Sequence, residues 1–94
     1  MTIGVLVLDL EIFGAQSLKS KRLVLHSLKQ RLSNRFNVAI AEIGYQDLWQ
    51  RCELSVVTVS ADRVGAERVL AKIDRFVESD GQIRIIDQSL EFYG

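Results

Sequence analysis

From Ile3 to Ile12 the side chains alternate, with Leu6, Leu8, Leu10 and Ile12 on one face and Ile3, Val5, Val7, Asp9 and Glu11 on the other. A period of two predicts a β-strand over 3–12. Residues 13–17 read as a loop that ends in the helix-capping residue Ser17. From residue 18 to about residue 34 the apolar period becomes helical, and Leu18, Val24, Leu25, Leu28 and Leu32 share one side at about 100° per residue. Asn34 or Asn37 is a candidate left-handed stop. Residues 38–45 predict a second strand. The segment 46–51 turns the chain, with Asp47 capping the turn and Trp49 packed to anchor it. Residues 52–60, rich in β-branched side chains, predict a third strand. Asp62 caps a second helix whose apolar side carries Ala66, Val69, Leu70, Ile73, Phe76 and Val77. Residues 82–92 predict a fourth strand with an irregularity after Asp87.

The order β-α-β-β-α-β, with right-handed crossovers, predicts an α+β ferredoxin-like sandwich: a four-stranded antiparallel sheet with both helices on one face. At 94 residues, with no linker, repeat or proline, residues 1–94 read as a single domain. Such a fold hosts many functions, so function has to come from particular residues. Strands 1 to 3 carry apolar residues in both phases, so apolar side chains remain on the face away from the helices. A partner covering that face is expected, most simply a second copy of the chain in a homodimer, and the alternative function is then a homodimeric protein-interaction or small-ligand module using the open sheet face.

Charge sharpens the picture. The formal net charge is zero, yet residues 17–35 hold six bases (Lys19, Lys21, Arg22, Lys29, Arg31, Arg35) and no acid. The remainder carries six bases against twelve acids. The stretch SLKSKR, 17–22, sets three of those cations in the first helical turns, where unpaired backbone N–H groups are already partly positive. Along this helix Lys19, Arg22, His26 and Lys29 form one strip, and with Lys21 they are the candidate anion- or RNA-binding residues. The bland alternative pairs them with Asp9, Glu11, Glu42 or Asp47; in particular, Lys21 or Arg22 meeting Glu42 would hold the helix start against the sheet. RNA on the sheet is disfavoured, since 3–12 and 52–60 contain no aromatic ring and Asp9 and Glu11 repel phosphate.

Catalytic chemistry finds little support. His26 is a lone histidine among cations, and Cys52 has no neighbouring histidine to activate it. No metal site or cofactor is expected. An acylphosphatase-like hydrolase, using the 13–17 loop, Arg22 and Asn37, is a minor alternative, weakened because the loop lacks that family's two-glycine cradle. No apolar run reaches the roughly 20 residues of a membrane span. The N-terminal apolar stretch reads as a strand rather than a signal peptide. One cysteine excludes an internal disulfide and points to a reducing cytoplasm.

The segments SLKSKR, RFNVAIAEIGYQDLW, SVVTVSADR and AERVLAKIDRFVES together resemble the YlxP-like family, a bacterial domain of unknown function. The resemblance covers essentially the whole chain, and its motif positions here include Ser17, Asn37, Glu42, Asp47 and Trp49 as structural residues. It implies a small cytoplasmic ferredoxin-like protein with no established activity. Members are often encoded beside translation-initiation and ribosome-maturation factors, which implies RNA or the ribosome as a partner.

Overall fold

Leu6, Leu8, Leu10 and Ile12 are all buried, and the residues between them are only half-buried, as the alternation in the sequence requires. In a computed structural model of residues 1–94 they lie on β1 (Thr2–Ile12). The chain continues through α1 (Leu18–Arg35), β2 (Ala39–Gly44), β3 (Arg51–Ser60), α2 (Arg63–Glu78) and β4 (Ile83–Tyr93). The four strands form one antiparallel sheet in the order β2-β3-β1-β4, the ferredoxin-like arrangement. The core lies between sheet and helices. There the β1 leucines meet Cys52, Leu54 and Val56 of β3, Leu25, Leu28 and Leu32 of α1, and Leu70, Ile73 and Val77 of α2. Each such aliphatic side chain contributes about 1.5–3 kcal/mol by leaving water. Gly4 lets α2 approach β1 closely, because a Cβ there would stand 2.9 Å from Leu70 Cδ1.

Three local features differ from the expectations above. Neither Asn34 nor Asn37 provides a left-handed helix stop. Phe36 closes α1 in an extended conformation (φ −129°), donating its N–H to the Leu32 carbonyl at 2.8 Å, so the helix runs directly into β2. The irregularity in β4 falls before Asp87, with Ile86 as the extra residue between the pairs Leu10–Ile85 and Asp9–Asp87. That bulge switches the phase of the strand. Ile83 and Ile85 face the helices before it, and Leu90 and Phe92 regain that side after it, opposite Leu6 and Gly4. A similar shift between Glu42 and Gly44 leaves Ile43 unpaired on β2.

The face away from the helices divides in two. Ile3 and Val5 of β1 stand opposite Val59 and Val57 of β3, with Ala39 of β2 beyond Val57, an apolar patch bordered by Ser55, which lies between Val7 and Ala41, and by Glu91 of β4, opposite Val5. Towards the end of β1 the same face becomes charged, with Asp9 held by both ends of its carboxylate on Arg51 (2.9 and 3.0 Å) and Glu11 paired with Arg84 at 3.0 Å.

One residue of α2 works against stability. Asp74 flanks β4 with its Oδ1 buried and without a hydrogen-bond partner. Burial, followed by the nearby Glu78 carboxylate, raises its carboxyl above the usual range. The ionised form is therefore disfavoured in the fold. The cost is present at neutral pH and is relieved as pH falls through the raised value. Replacing Asp74 with alanine is expected to stabilise the protein by about 1 kcal/mol. Urea unfolding at neutral pH should show the gain, and the gain should shrink in acid.

Candidate nucleic-acid interface

The start of α1 is capped by serines rather than acids. Ser17 Oγ accepts from the Ser20 N–H at 3.1 Å, and Ser20 Oγ accepts from the Ser17 N–H at 3.2 Å, a reciprocal capping box. No acidic residue stands in the first turn.

The cations of SLKSKR then part company. Lys21 is buried, its side chain 1% exposed, and cannot belong to an anion-binding surface, which corrects the expectation for this residue. It falls on the core side of α1 with Leu25, Leu28 and Leu32. Its Nζ donates to the Tyr45 carbonyl at 2.8 Å and lies 2.9 Å from Glu42 Oε2. The contact with Glu42 is an ion pair by distance only, since its angle lies outside hydrogen-bond geometry. Lys21 thus ties the helix start to β2 and to the β2–β3 turn.

Lys19, Arg22 and His26 are exposed and Lys29 is half-buried. The five ion pairs engage Lys21, Arg31, Arg51, Arg63 and Arg84, and none reaches this strip. Three of the carboxylates expected as its partners are committed elsewhere: Glu42 to Lys21, Asp9 to Arg51 and Glu11 to Arg84. At about 100° per residue the strip lies on the flank of α1 opposite Arg31 and Arg35. Those two turn toward α2, where Arg31 pairs with Asp80 at 2.8 Å and Arg35 lies 5.3 Å from the centre of the Phe76 ring.

The β2–β3 turn sits against the helix start, with Gln50 Nε2 donating to the Ala15 carbonyl at 3.2 Å. Asp47 does not cap it. The turn is closed instead by the Leu48 N–H on the Tyr45 carbonyl at 3.0 Å and by Gln46 Nε2 on the Glu42 carbonyl at 3.1 Å. Tyr45 has φ +58°, which costs a non-glycine residue about 1–3 kcal/mol. Its carbonyl gains in return both the Lys21 ammonium and the Leu48 N–H. Trp49 is not a packed anchor, being 52% exposed beside the exposed Leu48.

Other candidate residues are kept apart. Asn37 accepts from Thr58 Oγ1 through its backbone carbonyl at 2.8 Å, and its side chain is exposed. Thr58 stands opposite Gly4, whereas the 13–17 loop follows Ile12, a separation of about 26 Å along β1. Arg22 and Asn37 therefore do not converge with that loop on one phosphate. Asp9 and Glu11 lie on the open face and Glu42 on the helix side, so these carboxylates do not cluster. Burial pushes the Cys52 thiol up to about 12, with Glu42 adding to the effect, so almost no thiolate exists near neutral pH.

One feature was missed in the sequence. The α2 cations Arg68, Lys72 and Arg75, spaced i, i+4 and i+7, occupy one ridge, while Glu67, Asp74 and Glu78 occupy another. A helical projection of α2, like that made for α1, finds this. Together the helices carry ten bases and three acids, and the strands two bases and six acids. A neutral chain has folded into a positive layer on a negative one.

No helix is long and apolar enough to cross a membrane. Comparison with known sequences gives a match over residues 3–90 to a family described as "Protein of unknown function (DUF503)". The chain is also similar to a Bacillus subtilis (strain 168) protein described as "Uncharacterized protein YlxP", with 46% identity over 72 residues, covering 77% of this chain and 78% of that protein. Buried β1 leucines, the capped basic helix and the Lys21–Glu42 tie all fall within the matched span, and the chain belongs to the DUF503 family, to which the YlxP-like resemblance pointed.

Proposed function

We propose that this is a non-enzymatic binding protein that takes RNA, free or on the ribosome, along α1 through Lys19, Arg22, His26 and Lys29. The observation that carries this reading is that these side chains share one flank and have no carboxylate within ion-pair reach. Cations near a helix N-terminus each cost about 0.3–1 kcal/mol, a cost that a bound phosphate reverses. The single unpaired thiol suits a reducing compartment such as the cytoplasm. Affinity for a short single-stranded RNA should fall steeply with salt, because neutralised phosphates release counterions. Changing Lys19, Arg22 and Lys29 to glutamine should flatten the log–log salt slope by about 2 and leave the unfolding midpoint nearly unchanged. Absence of RNA binding even at low salt sinks the reading.

A second reading uses the opposite face. The apolar patch around the half-buried Val5 and Val57, with Val59 exposed at its edge, favours a homodimer joined sheet to sheet. The acids beside it and the lack of aromatic rings on β1 and β3 suit protein rather than RNA. The two readings are compatible, since they engage opposite layers.

A further inference from the structure

We propose that the groove between α1 and α2 is a separate anion site in which Arg35, Lys72 and Arg75 hold a phosphoryl group. The groove measures about 620 Å³, and its lining contains these three cations and no carboxylate. Its apolar wall is formed by Phe36, Val69 and Phe76, the two rings meeting edge to face at 6.0 Å between centres. This site does not rest on the RNA reading, for the Lys19–Lys29 strip lies on the other flank of α1.

The charges here are arranged at a cost. Arg31 and Arg35 stand at i and i+4 on α1, both against the Phe76 ring, at 5.7 and 5.3 Å. Across the groove, Arg68 and Lys72 are also at i and i+4, and Arg75 comes three residues later. Like charges at these spacings repel. Arg31 is neutralised by Asp80, but Arg35, Lys72 and Arg75 have no carboxylate partner. The helix dipole favours Arg35 and Arg75 singly, each being in a last turn. It gives no reason for three unpaired cations to face one groove while the acids of α2 all lie on its other ridge.

An anion between the helices turns the repulsion into attraction. Two planar guanidinium forks and one ammonium suit the several oxygens of a phosphoryl group. A nucleobase fits less well, since Arg31 and Arg35 already pack against the Phe76 ring. The phosphoryl group belongs either to an RNA strand or to a small phosphorylated molecule.

Inorganic pyrophosphate added to isotope-labelled protein at low ionic strength is the probe, read by amide shifts. Saturable shifts concentrated on Arg35, Phe36, Lys72, Arg75 and Phe76 are expected. The Lys72→Gln/Arg75→Gln double variant should weaken binding by about tenfold or more, and Lys19→Gln/Arg22→Gln should leave it unchanged. All four side chains are exposed, so the variants should fold, and near-UV circular dichroism checks this. Displacement of pyrophosphate by a short oligouridine assigns the site to RNA, and retention assigns it to a small phosphorylated ligand. Unsaturable shifts spread over every basic residue, or wild-type affinity in the groove variant, overturn the proposal. Failure of the α1 strip to bind RNA leaves this result untouched.

Discussion

Replacing Lys21 with alanine is expected to destabilise the protein by about 3–5 kcal/mol, the upper figure applying only if Glu42 is fully shielded from water. Three losses coincide. Glu42 keeps a buried Oε2 without its counter-charge, the strained Tyr45 loses one of two donors to its carbonyl, and the space of the aliphatic stem empties beside the core. Glu42 is 21% exposed, so solvent screens part of the first loss and the value should fall near the lower end. Removing a cation from a helix N-terminus would by itself gain about 0.3–1 kcal/mol, so a net loss isolates the tertiary contribution. Lys21→Met, which refills the volume, should cost less. Combining it with Glu42→Gln should recover much of the remainder, because no uncompensated charge is left. Urea unfolding of wild type, Lys21→Met, Glu42→Gln and the double variant completes a double-mutant cycle that measures the coupling. A loss below about 1 kcal/mol for Lys21→Ala would mean that the pair behaves as an exposed one.

The same residue marks where sequence reading succeeded and where it stopped. Period-two and period-3.6 patterns locate all six elements, because burial of one face is what both the pattern and the fold express. The pairing of Lys21 with Glu42 was one of two alternatives, and the helical period decides for Lys21, which stands four, seven and eleven residues before the buried Leu25, Leu28 and Leu32. The two side chains are neighbours in the chain, yet one points under α1 and the other away from it. Trp49 and Asp47 were misjudged for a related reason. Turn chemistry admits several closures, and here the Tyr45 carbonyl performs the task assigned to Asp47. The β4 bulge was legible only approximately, since Ile85 and Ile86 are both apolar and the phase change shows only in the spacing of Leu90 and Phe92. The groove between the helices was not legible from α1 alone, because it needs the antiparallel alignment of two helices whose charged ridges are far apart in the chain.

Segregation of charge between the layers has a consequence for assembly. Net charge is zero, so long-range self-repulsion is weak, while the positive helical layer and the acidic strands form a strong internal asymmetry. Two copies meeting helix layer to sheet would attract but would build an open chain, since such a contact is heterologous. Two copies meeting sheet to sheet close on themselves and leave both basic layers outward.

Val57→Asp therefore separates the alternatives most sharply. Val57 lies in mid-sheet, opposite Val5 of β1 on one side and Ala39 of β2 on the other. In a monomer its side chain is half-buried on the open face, and the change should cost about 1 kcal/mol of strand preference. In a sheet-to-sheet dimer with its two-fold axis near this position, two carboxylates would be buried close together in an apolar contact. A single uncompensated charge in such a place costs several kcal/mol, so dimer affinity should fall by about a hundredfold or more. Sedimentation velocity over a range of concentrations reads both quantities. Wild type is expected to move as a dimer at tens of micromolar and the variant as a folded monomer with unchanged circular dichroism. A wild type that sediments as a monomer throughout excludes the sheet contact, and the patch is then ordinary exposed valine, of the kind that most soluble surfaces carry. Because the change lies on the layer opposite α1, RNA affinity per chain should survive it. Avidity for long RNA should fall, since only the dimer presents two basic layers to one strand.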